Sequence, residues 1–245
     1  MEPSDEGNQP ALDLVWARPE RPTRAQESSL SRDHIVRAAI ELADTEGVGA
    51  LSMRRIAAKL GVGTMSLYWY VSSKQDLFDL VRDAVYGEIE LPAQPSGDWR
   101  ADLRVIAVQM RAMLRRHPWL SALLNSRPSF GPNGLRYAEF CLAALDGLGL
   151  APATMISIFE TIDGYIVGYV QTKTAEEAAR QQSGMTEQEW RKALEPYLRQ
   201  ATATGRYPTF ARLVTQDTAL NDEATGFEFG LDCVLDGIAA RIARS

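Results

Sequence analysis

LSMRRIAAKLGVGTMSLYWYVSSK, which runs from Leu51 to Lys74, is the stretch that decides the fold of this chain. Ser52 is a residue type that caps helix N-termini. Gly61 suits the left-handed backbone that ends a helix, and a second short helix is predicted from Met65 to Tyr70. Two short helices joined by about four residues that include a glycine predict a helix-turn-helix. Three apolar residues share the buried face of the first helix by their spacing: Ile56, Ala57 and Leu60.

The same stretch carries a local positive charge. It holds four cationic side chains and no aspartate or glutamate, although the whole chain has a formal net charge of -6. A positive segment on an acidic protein indicates a surface for an anionic partner. In a helix-turn-helix that partner is double-stranded DNA, because the second helix enters the major groove. The four cations are Arg54, Arg55, Lys59 and Lys74.

The predicted second helix offers side chains that suit base edges. Hydroxyls bond to either kind of base, and methyl or aromatic groups pack on a thymine methyl. Three consecutive helical side chains cannot all enter one small core, so we expect Trp69 to face inward with Leu67. Tyr68 and Tyr70 are then expected to face outward. Four candidates for base contact lie at the exposed start of the helix: Thr64, Met65, Ser66 and Tyr68.

The segment GVGTMSLYWYVSSKQDLF, residues 61–78, resembles the recognition segment of the tetracycline-repressor (TetR) family of transcriptional regulators. The resemblance covers residues 31–80. It implies that Arg54 contacts guanine from the start of the preceding helix and that Ser52 adds a capping or phosphate contact. It also implies that three further side chains touch the phosphate backbone: Tyr68, Tyr70 and Lys74.

The rest of the chain predicts an all-α protein in two domains. Residues 1–30, with four prolines and both signs of charge, are expected to form a mobile arm. Residues 31–92 are expected to form a three-helix DNA-binding domain with a linker helix, in which the apolar pattern reaches Ile89. The linker LPAQPSGD, from Leu91 to Asp98, separates this domain from residues 98–245, the predicted ligand-binding and dimerisation domain.

Helical periodicity broken by prolines and glycines organises the second domain, with no defensible strand pattern. The whole chain is expected to hold nine or ten helices. In the second domain they run over about 98–116, 118–124, 134–148, 152–172 and beyond, 186–202, 209–214 and 221–243.

Two of these helices are apolar on more than one face. One includes Met155 to Val170, and the other is the last helix, Asn221 to Ala243. A helix with one face in solvent needs only a narrow apolar stripe. The additional apolar surface of these two helices therefore favours burial on more than one side, either inside a monomer or against a second copy. The TetR resemblance implies a homodimer. Because each chain has one recognition helix, tight binding then needs a two-fold dimer on a roughly palindromic operator.

The second domain also combines aromatic and sulphur side chains with sparse polar groups. Such a combination suits a small hydrophobic or aromatic ligand, although ordinary core packing explains each residue singly. The resemblance implies an effector that binds between these helices and shifts the linker helix, spreading the two DNA-binding heads. The candidate ligand-binding residues are Met110, Met113, His117, Trp119, Phe130, Tyr137, Phe140, Phe159, Asp163 and Tyr165.

A further similarity to the tetracycline repressors appears at His117 and at residues 126–128, Ser-Arg-Pro. The magnesium-binding histidine that those proteins place shortly before Arg-Pro is replaced by residues 122–124, Ala-Leu-Leu. We therefore expect no metal site, no cofactor and no metal-chelated tetracycline. The effector can still be a polyketide-like or another hydrophobic compound.

Other classes of protein find less support in the sequence. No apolar run approaches 18 residues, and the first 30 residues lack the basic start and apolar core of a secretory signal, so we expect a cytoplasmic protein that contacts no membrane. The two cysteines lie among apolar residues and are expected to be buried, reduced thiols. No HExxH, CxxC or GxSxG motif supports an enzyme. The alternatives are a regulator of the same fold controlled by a protein partner, and an all-α ligand-binding protein or enzyme.

Overall fold

The computed structural model describes residues 15–18, 30–124, 131–215 and 223–244, and within these ranges all regular structure is helical. The all-α prediction is confirmed for this part of the chain. The chain divides into two compact units. The first comprises residues 1–94 and 112–140, and the second comprises residues 95–111 and 141–245.

Four helices open the first unit: α1 (Arg32–Glu46), α2 (Met53–Leu60), α3 (Thr64–Tyr70) and α4 (Lys74–Tyr86). Serine hydroxyls cap three of them, as predicted for Ser31 and Ser52. The hydroxyl of Ser31 accepts the N–H of His34 at 3.2 Å, and that of Ser52 accepts the N–H of Arg55 at 3.3 Å. Ser73 caps α4 in the same way. Each such cap stabilises its helix by about 1 kcal/mol.

The core of these four helices is apolar and closely packed. α1 contacts both α2 and α4, and α2 contacts α3. Gly47, with φ of 80°, ends α1 as predicted. The side chains that fill the centre are almost fully buried: Ile35, Ala39, Leu51, Ile56, Leu67, Val71, Leu77 and Val81.

α4 ends earlier than the sequence predicts. The apolar pattern reaches Ile89, which is buried, but the helix stops at Tyr86 and a hydrogen-bonded turn follows. Gly87 at this point has a low helix propensity. The carbonyl of Ile89 accepts a hydrogen bond from Arg136 at 2.9 Å, so a side chain replaces the partner that a longer helix would supply.

Seven further helices follow among the described residues, and α5 and α7 each contribute residues to both units. They are α5 (Trp99–Arg116), α6 (Ser121–Leu124), α7 (Pro132–Leu145), α8 (Pro152–Ser183), α9 (Glu187–Ala203), α10 (Pro208–Thr215) and α11 (Glu223–Ile242). The predicted long helix from residue 152 extends to Ser183. Across the described residues, no helix combines the length and the apolar character that a bilayer crossing needs.

Candidate nucleic-acid interface

The turn between α2 and α3 brings the second helix of the pair to the surface. Gly61 adopts the left-handed backbone, with φ of 68°, and its N–H reaches back to the last turn of α2. The N–H of Val62 donates to the carbonyl of Ala57 at 3.0 Å. Gly63 then caps α3. The predicted helix-turn-helix is therefore present, with the glycine at the position where a side chain would strain the backbone.

α3 turns one face to the core and the opposite face to solvent. Leu67 is completely buried, as is Val71 one turn later, whereas Met65 is 80% exposed and Trp69 is 61% exposed. The prediction that Trp69 faces inward is therefore wrong. Residues two apart on a helix differ by about 200° in direction, so Trp69 lies opposite Leu67 and next to Met65.

The other predicted DNA-binding residues lie around this outward face. Tyr68 is 42% exposed, and Ser66 is exposed. Thr64 and Tyr70 are half-buried at the edges of the face. The hydroxyl of Ser52 caps α2, and capping was one of the two roles expected for this residue.

The cations of this region differ in their partners. Arg55 pairs with Glu46, and Lys59 lies 3.0 Å from Glu41. Both acids belong to α1, so the segment that is free of acids in sequence is partly neutralised in three dimensions. Arg54 is exposed and forms no ion pair with any residue that the structure describes.

Lys74 is exposed at the start of α4, with its Nζ 5.1 Å from the centre of the Phe78 ring. Lys74 and Arg54 therefore supply positive charge beside α3 without a carboxylate partner in the described ranges.

A short N-terminal turn lies against this region, a contact that the sequence analysis missed. Val15 is 3% exposed in the turn Val15–Ala17, within the predicted mobile arm. Arg18 donates to the carboxylate of Asp76 at 2.6 Å and to the hydroxyl of Ser72 at 3.2 Å. Sequence periodicity carries no signal for such a contact, because the partners are 58 residues apart.

A buried carboxylate links α4 to the start of α7. Asp83, 3% exposed, accepts the backbone N–H of Gly134 at 2.8 Å and that of Asn133 at 3.0 Å. The side-chain amide of Asn133 donates to the same carboxylate at 3.0 Å. An anion at a helix N-terminus satisfies N–H groups that have no partner within the helix. This cap was also missed, because nothing local to Asp83 predicts it.

His117 and Trp119, both candidate ligand-binding residues, contact carboxylates. The Nδ1 atom of His117 lies 2.7 Å from Oδ1 of Asp44, and its Nε2 atom lies 3.1 Å from Glu88. The indole N–H of Trp119 donates to Asp44 at 2.7 Å. The side chains of His117 and Trp119 are both buried in the first unit. Their part in ligand binding stays a prediction.

The remaining ligand-binding candidates divide between the units. Met113, Tyr137 and Phe140 are buried in the first unit. Met110 is fully buried in the second unit, where Phe159, Asp163 and Tyr165 are half-buried. Phe130 lies outside the described residues. A single cavity lined by all of these side chains stays a prediction.

In the second unit, aromatic rings of α8 and α11 pack together, and an arginine of α5 lies over them. The hydroxyl of Tyr165 donates to the backbone carbonyl of Phe227 at 2.6 Å, and the two ring centres are 5.5 Å apart. The guanidinium of Arg111 lies 4.5 Å from the centre of the Phe227 ring. Burial, assisted by the neighbouring Tyr169, raises the pKa of Tyr165 to about 12.

α8 and α11 each bury one narrow stripe and expose apolar or small residues elsewhere. The buried stripe of α8 runs through Ile158, Ile162, Ile166 and Val170, and that of α11 through Phe227, Leu231, Leu235 and Ile238. Ile156 is 49% exposed and Phe229 is 67% exposed. Cys233 is exposed as well, so the prediction of two buried thiols holds for Cys141 only.

Comparison with known families accounts for both parts of the chain. The family described as "Bacterial regulatory proteins, tetR family" matches residues 35–81, and "Tetracyclin repressor-like, C-terminal domain" matches residues 91–242. The chain is 40% identical over 234 residues to the HTH-type transcriptional repressor DrrR1 of Streptomyces coeruleorubidus, covering 95% of this chain and 86% of that protein. It is 29% identical over 218 residues to the tetracycline repressor protein class A from transposon 1721 of Escherichia coli, covering 87% and 93%.

A solved structure shows the same architecture. The crystal structure of ActR from Streptomyces coelicolor in complex with actinorhodin superposes with a TM-score of 0.75 at 29% identity, and the match covers 88% of this chain and 99% of that chain. The likeness therefore extends well beyond the helix-turn-helix.

Proposed function

Because this chain belongs to the TetR family of bacterial transcriptional regulators, we propose that it binds a palindromic operator as a homodimer and that a small hydrophobic or aromatic effector releases it. The match to a named transcriptional repressor at 40% identity supports repression as the role. Its relatives are transcriptional regulators, so we propose no enzymatic activity. Since operator DNA lies in the bacterial cytoplasm, we propose that the protein acts there.

The outward face of α3 is the observation that carries operator binding. Met65, Trp69 and Tyr68 present a large apolar and aromatic surface to solvent on a helix of only seven residues. Contiguous exposed apolar surface is uncommon unless a partner covers it. A thymine methyl or a sugar edge in the major groove suits these side chains, and Ser66 beside them can bond to a base.

Positive charge beside α3 supports the same proposal. Arg54 and Lys74 are exposed and keep their charge available for phosphates. The proposed DNA-binding set is therefore the predicted one with Trp69 added: Ser52, Arg54, Thr64, Met65, Ser66, Tyr68, Trp69, Tyr70 and Lys74.

The exposed faces of α8 and α11 support a dimer. These two helices contact each other, yet Ile156 and Phe229 remain exposed outside their buried stripes. Gly164 and Gly168 are exposed on α8, which allows another helix to approach closely. A second copy that packs the same two helices against these would bury the surplus and would present two recognition helices to successive major grooves.

Release by an effector is proposed from the aromatic and sulphur side chains of the C-terminal helices. ActR, a protein of the same fold, has been crystallised in complex with actinorhodin, which supports a ligand-responsive role for this chain. An effector can weaken operator binding only to the extent that it binds the released conformation more tightly than the DNA-bound one. A coupling free energy of about 1–3 kcal/mol would lower operator affinity roughly 5–150-fold.

The test is selection of DNA duplexes from a random pool by the full chain, followed by measurement of Kd by fluorescence anisotropy. We expect palindromic duplexes to be enriched and two protomers to bind each duplex. The double substitution Met65→Ala with Tyr68→Ala should weaken binding more than tenfold. Tyr197→Ala, which truncates an aromatic side chain that is 66% exposed on α9, is the matched control and should bind like the wild type. Enrichment of no duplex would overturn the proposal.

A protein partner in place of a small effector is a second candidate. α9, α10 and the segment between them expose the aromatic side chains of Trp190, Tyr197, Tyr207 and Phe210. Exposed aromatic residues are typical of protein interfaces. A panel of hydrophobic aromatic compounds distinguishes the two candidates, because only an effector-controlled repressor would release the selected duplex on adding one of them.

A further inference from the structure

Asp44, near the C-terminal end of α1, binds two side chains that follow α5. The Nδ1 atom of His117 and the Nε1 atom of Trp119 each lie 2.7 Å from its Oδ1 atom. The indole N–H of Trp119 can only donate, so Asp44 is the acceptor. α1 packs on α2 and α4, and this carboxylate therefore ties a supporting helix of the helix-turn-helix to the end of α5.

The second ring nitrogen of His117 faces another carboxylate. Its Nε2 atom lies 3.1 and 3.2 Å from the two carboxylate oxygens of Glu88, two residues beyond α4. A neutral imidazole has one N–H, and an imidazolium has two. Because ionised carboxylates only accept, both hydrogen bonds form together only when His117 carries two protons. His117 is 6% exposed, which leaves little room for water to replace either partner.

The charges around the ring also favour the imidazolium. Arg116 of α5 adds a cation, with its Nη2 atom 3.4 Å from Oε2 of Glu88. The ring of Trp119 meets that of His117 edge to face, with centroids 5.8 Å apart. Asp44, Glu88 and Arg116 together carry one net negative charge, which the protonated ring neutralises.

We propose that His117 is a positioning residue for operator binding, holding Asp44 of α1 and Glu88 beyond α4 together as an imidazolium. The inference rests on the operator binding proposed above. Loss of the second proton breaks one of the two contacts and loosens the end of α1 from the end of α4. Operator affinity therefore falls when rising pH removes that proton. Trp119 assists from the same carboxylate, so His117 and Trp119 act on the DNA-binding head.

The full chain first selects a duplex from a random pool at about pH 6. The Kd for this duplex is then measured from about pH 5.5 to 8.5 at constant ionic strength. We expect the wild-type Kd to rise at least about fivefold over this range. His117→Gln should bind weakly at every pH with a flat profile. Glu88→Gln should flatten the profile too, because the amide N–H of glutamine can donate to the unprotonated Nε2 atom of a neutral ring.

His34→Gln is the matched control, since His34 is the other histidine of the chain and is exposed at the start of α1. It should keep the wild-type profile. It also leaves His117 as the single source of imidazole signals in a chain labelled with nitrogen-15 at histidine. Both ring nitrogens should then show the chemical shifts of an imidazolium at the pH values where the operator binds most tightly.

Each outcome decides one question. A wild-type affinity that is constant with pH, or a His117→Gln variant that keeps the wild-type profile, would overturn the role of His117 while leaving operator binding intact. Failure of every duplex to bind at any pH would overturn the proposed function and this inference together. If His117→Gln does not fold, the profile of Glu88→Gln and the imidazole signals of His34→Gln decide the matter.

Discussion

The hydroxyl oxygen of Tyr165 lies 2.5 Å from the point where a side chain on Gly230 would place its Cβ. Tyr165 reaches this position on α11 because Gly230 leaves the space open, and there it donates to the carbonyl of Phe227 at 2.6 Å. One missing methyl group thus allows α8 and α11 to be joined by a hydrogen bond inside an aromatic cluster.

Gly230→Ala should destabilise the protein even though alanine favours helices. The new methyl group would overlap the phenol, and moving the ring would break its hydrogen bond, so we expect a loss of about 1–3 kcal/mol in the free energy of unfolding. Gly237→Ala on the same helix meets nothing within 4 Å and should be neutral or stabilising by up to about 1 kcal/mol. Denaturant unfolding of both variants measures the difference. Equal stability of the two would show that Tyr165 yields without cost.

Stability should fall above pH 10 because of Tyr165. Burial raises its pKa in the folded protein to about 12 from the ordinary 10.0, so the folded state keeps the proton that the unfolded state has lost. The neutral phenol stabilises the fold fully below pH 10, and this contribution is lost as the pH rises towards 12. Tyr165→Phe cannot ionise and should lose less stability over the same window. Parallel declines in denaturant midpoint for the two proteins would contradict the assignment.

Trp69→Ala should impair DNA binding and leave the fold intact. Its side chain is 61% exposed, so we expect a change in unfolding free energy below about 1 kcal/mol and a Kd for the selected duplex raised roughly fivefold or more. Leu67→Ala, which empties a fully buried site, should cost about 2–5 kcal/mol. Thermal unfolding and anisotropy separate the two effects. A large drop in Tm for Trp69→Ala would show that the side chain of Trp69 is buried in the core after all.

Asp83→Ala should be strongly destabilising. It removes the acceptor of two backbone N–H groups and one amide, all at the start of α7, and we expect a loss of about 3 kcal/mol. Asp83→Asn keeps one acceptor oxygen and should lose less. Asp146→Ala, an exposed aspartate just after α7, serves as the control and should change stability by less than about 0.5 kcal/mol. Hydrogen exchange at Gly134 should also speed up in Asp83→Ala alone.

Arg18→Ala should cost more stability than a substitution in an exposed ion pair. The side chain of Asp76 is 10% exposed, so removing Arg18 leaves a nearly buried carboxylate without its cation. We expect a loss of about 1–3 kcal/mol. Arg55→Ala breaks the exposed pair with Glu46 and should cost less than about 1 kcal/mol. Similar denaturant midpoints for the two variants would mean that the N-terminal turn contributes little.

Local signals in the sequence predicted the helix-turn-helix well. Ser31, Ser52 and Gly61 act as the caps expected from their residue types, and Leu67 is the buried anchor of α3. These features depend on side chains within four residues of one another. The one error within α3, the direction of Trp69, came from grouping two residues that helical geometry places on opposite faces.

Contacts between distant residues were not predictable in the same way. Asp44 and His117 are 73 residues apart, and Asp83 and Gly134 are 51 residues apart. An aspartate on an amphipathic helix has the same local pattern whether it meets water or caps another helix. The two cations Arg55 and Lys59 show the same limitation, since their acidic partners come from α1.

The sequence by itself determined the all-α class, the approximate positions of most helices and the presence of a recognition helix, because periodicity and capping act over one or two turns. Only the tertiary structure decided which carboxylates are buried, which side chains of α3 face solvent, and that the ring of Tyr165 packs against Gly230. These depend on how helices pack against each other, and a hydrogen bond or an overlap is settled by ångström distances that no local pattern specifies.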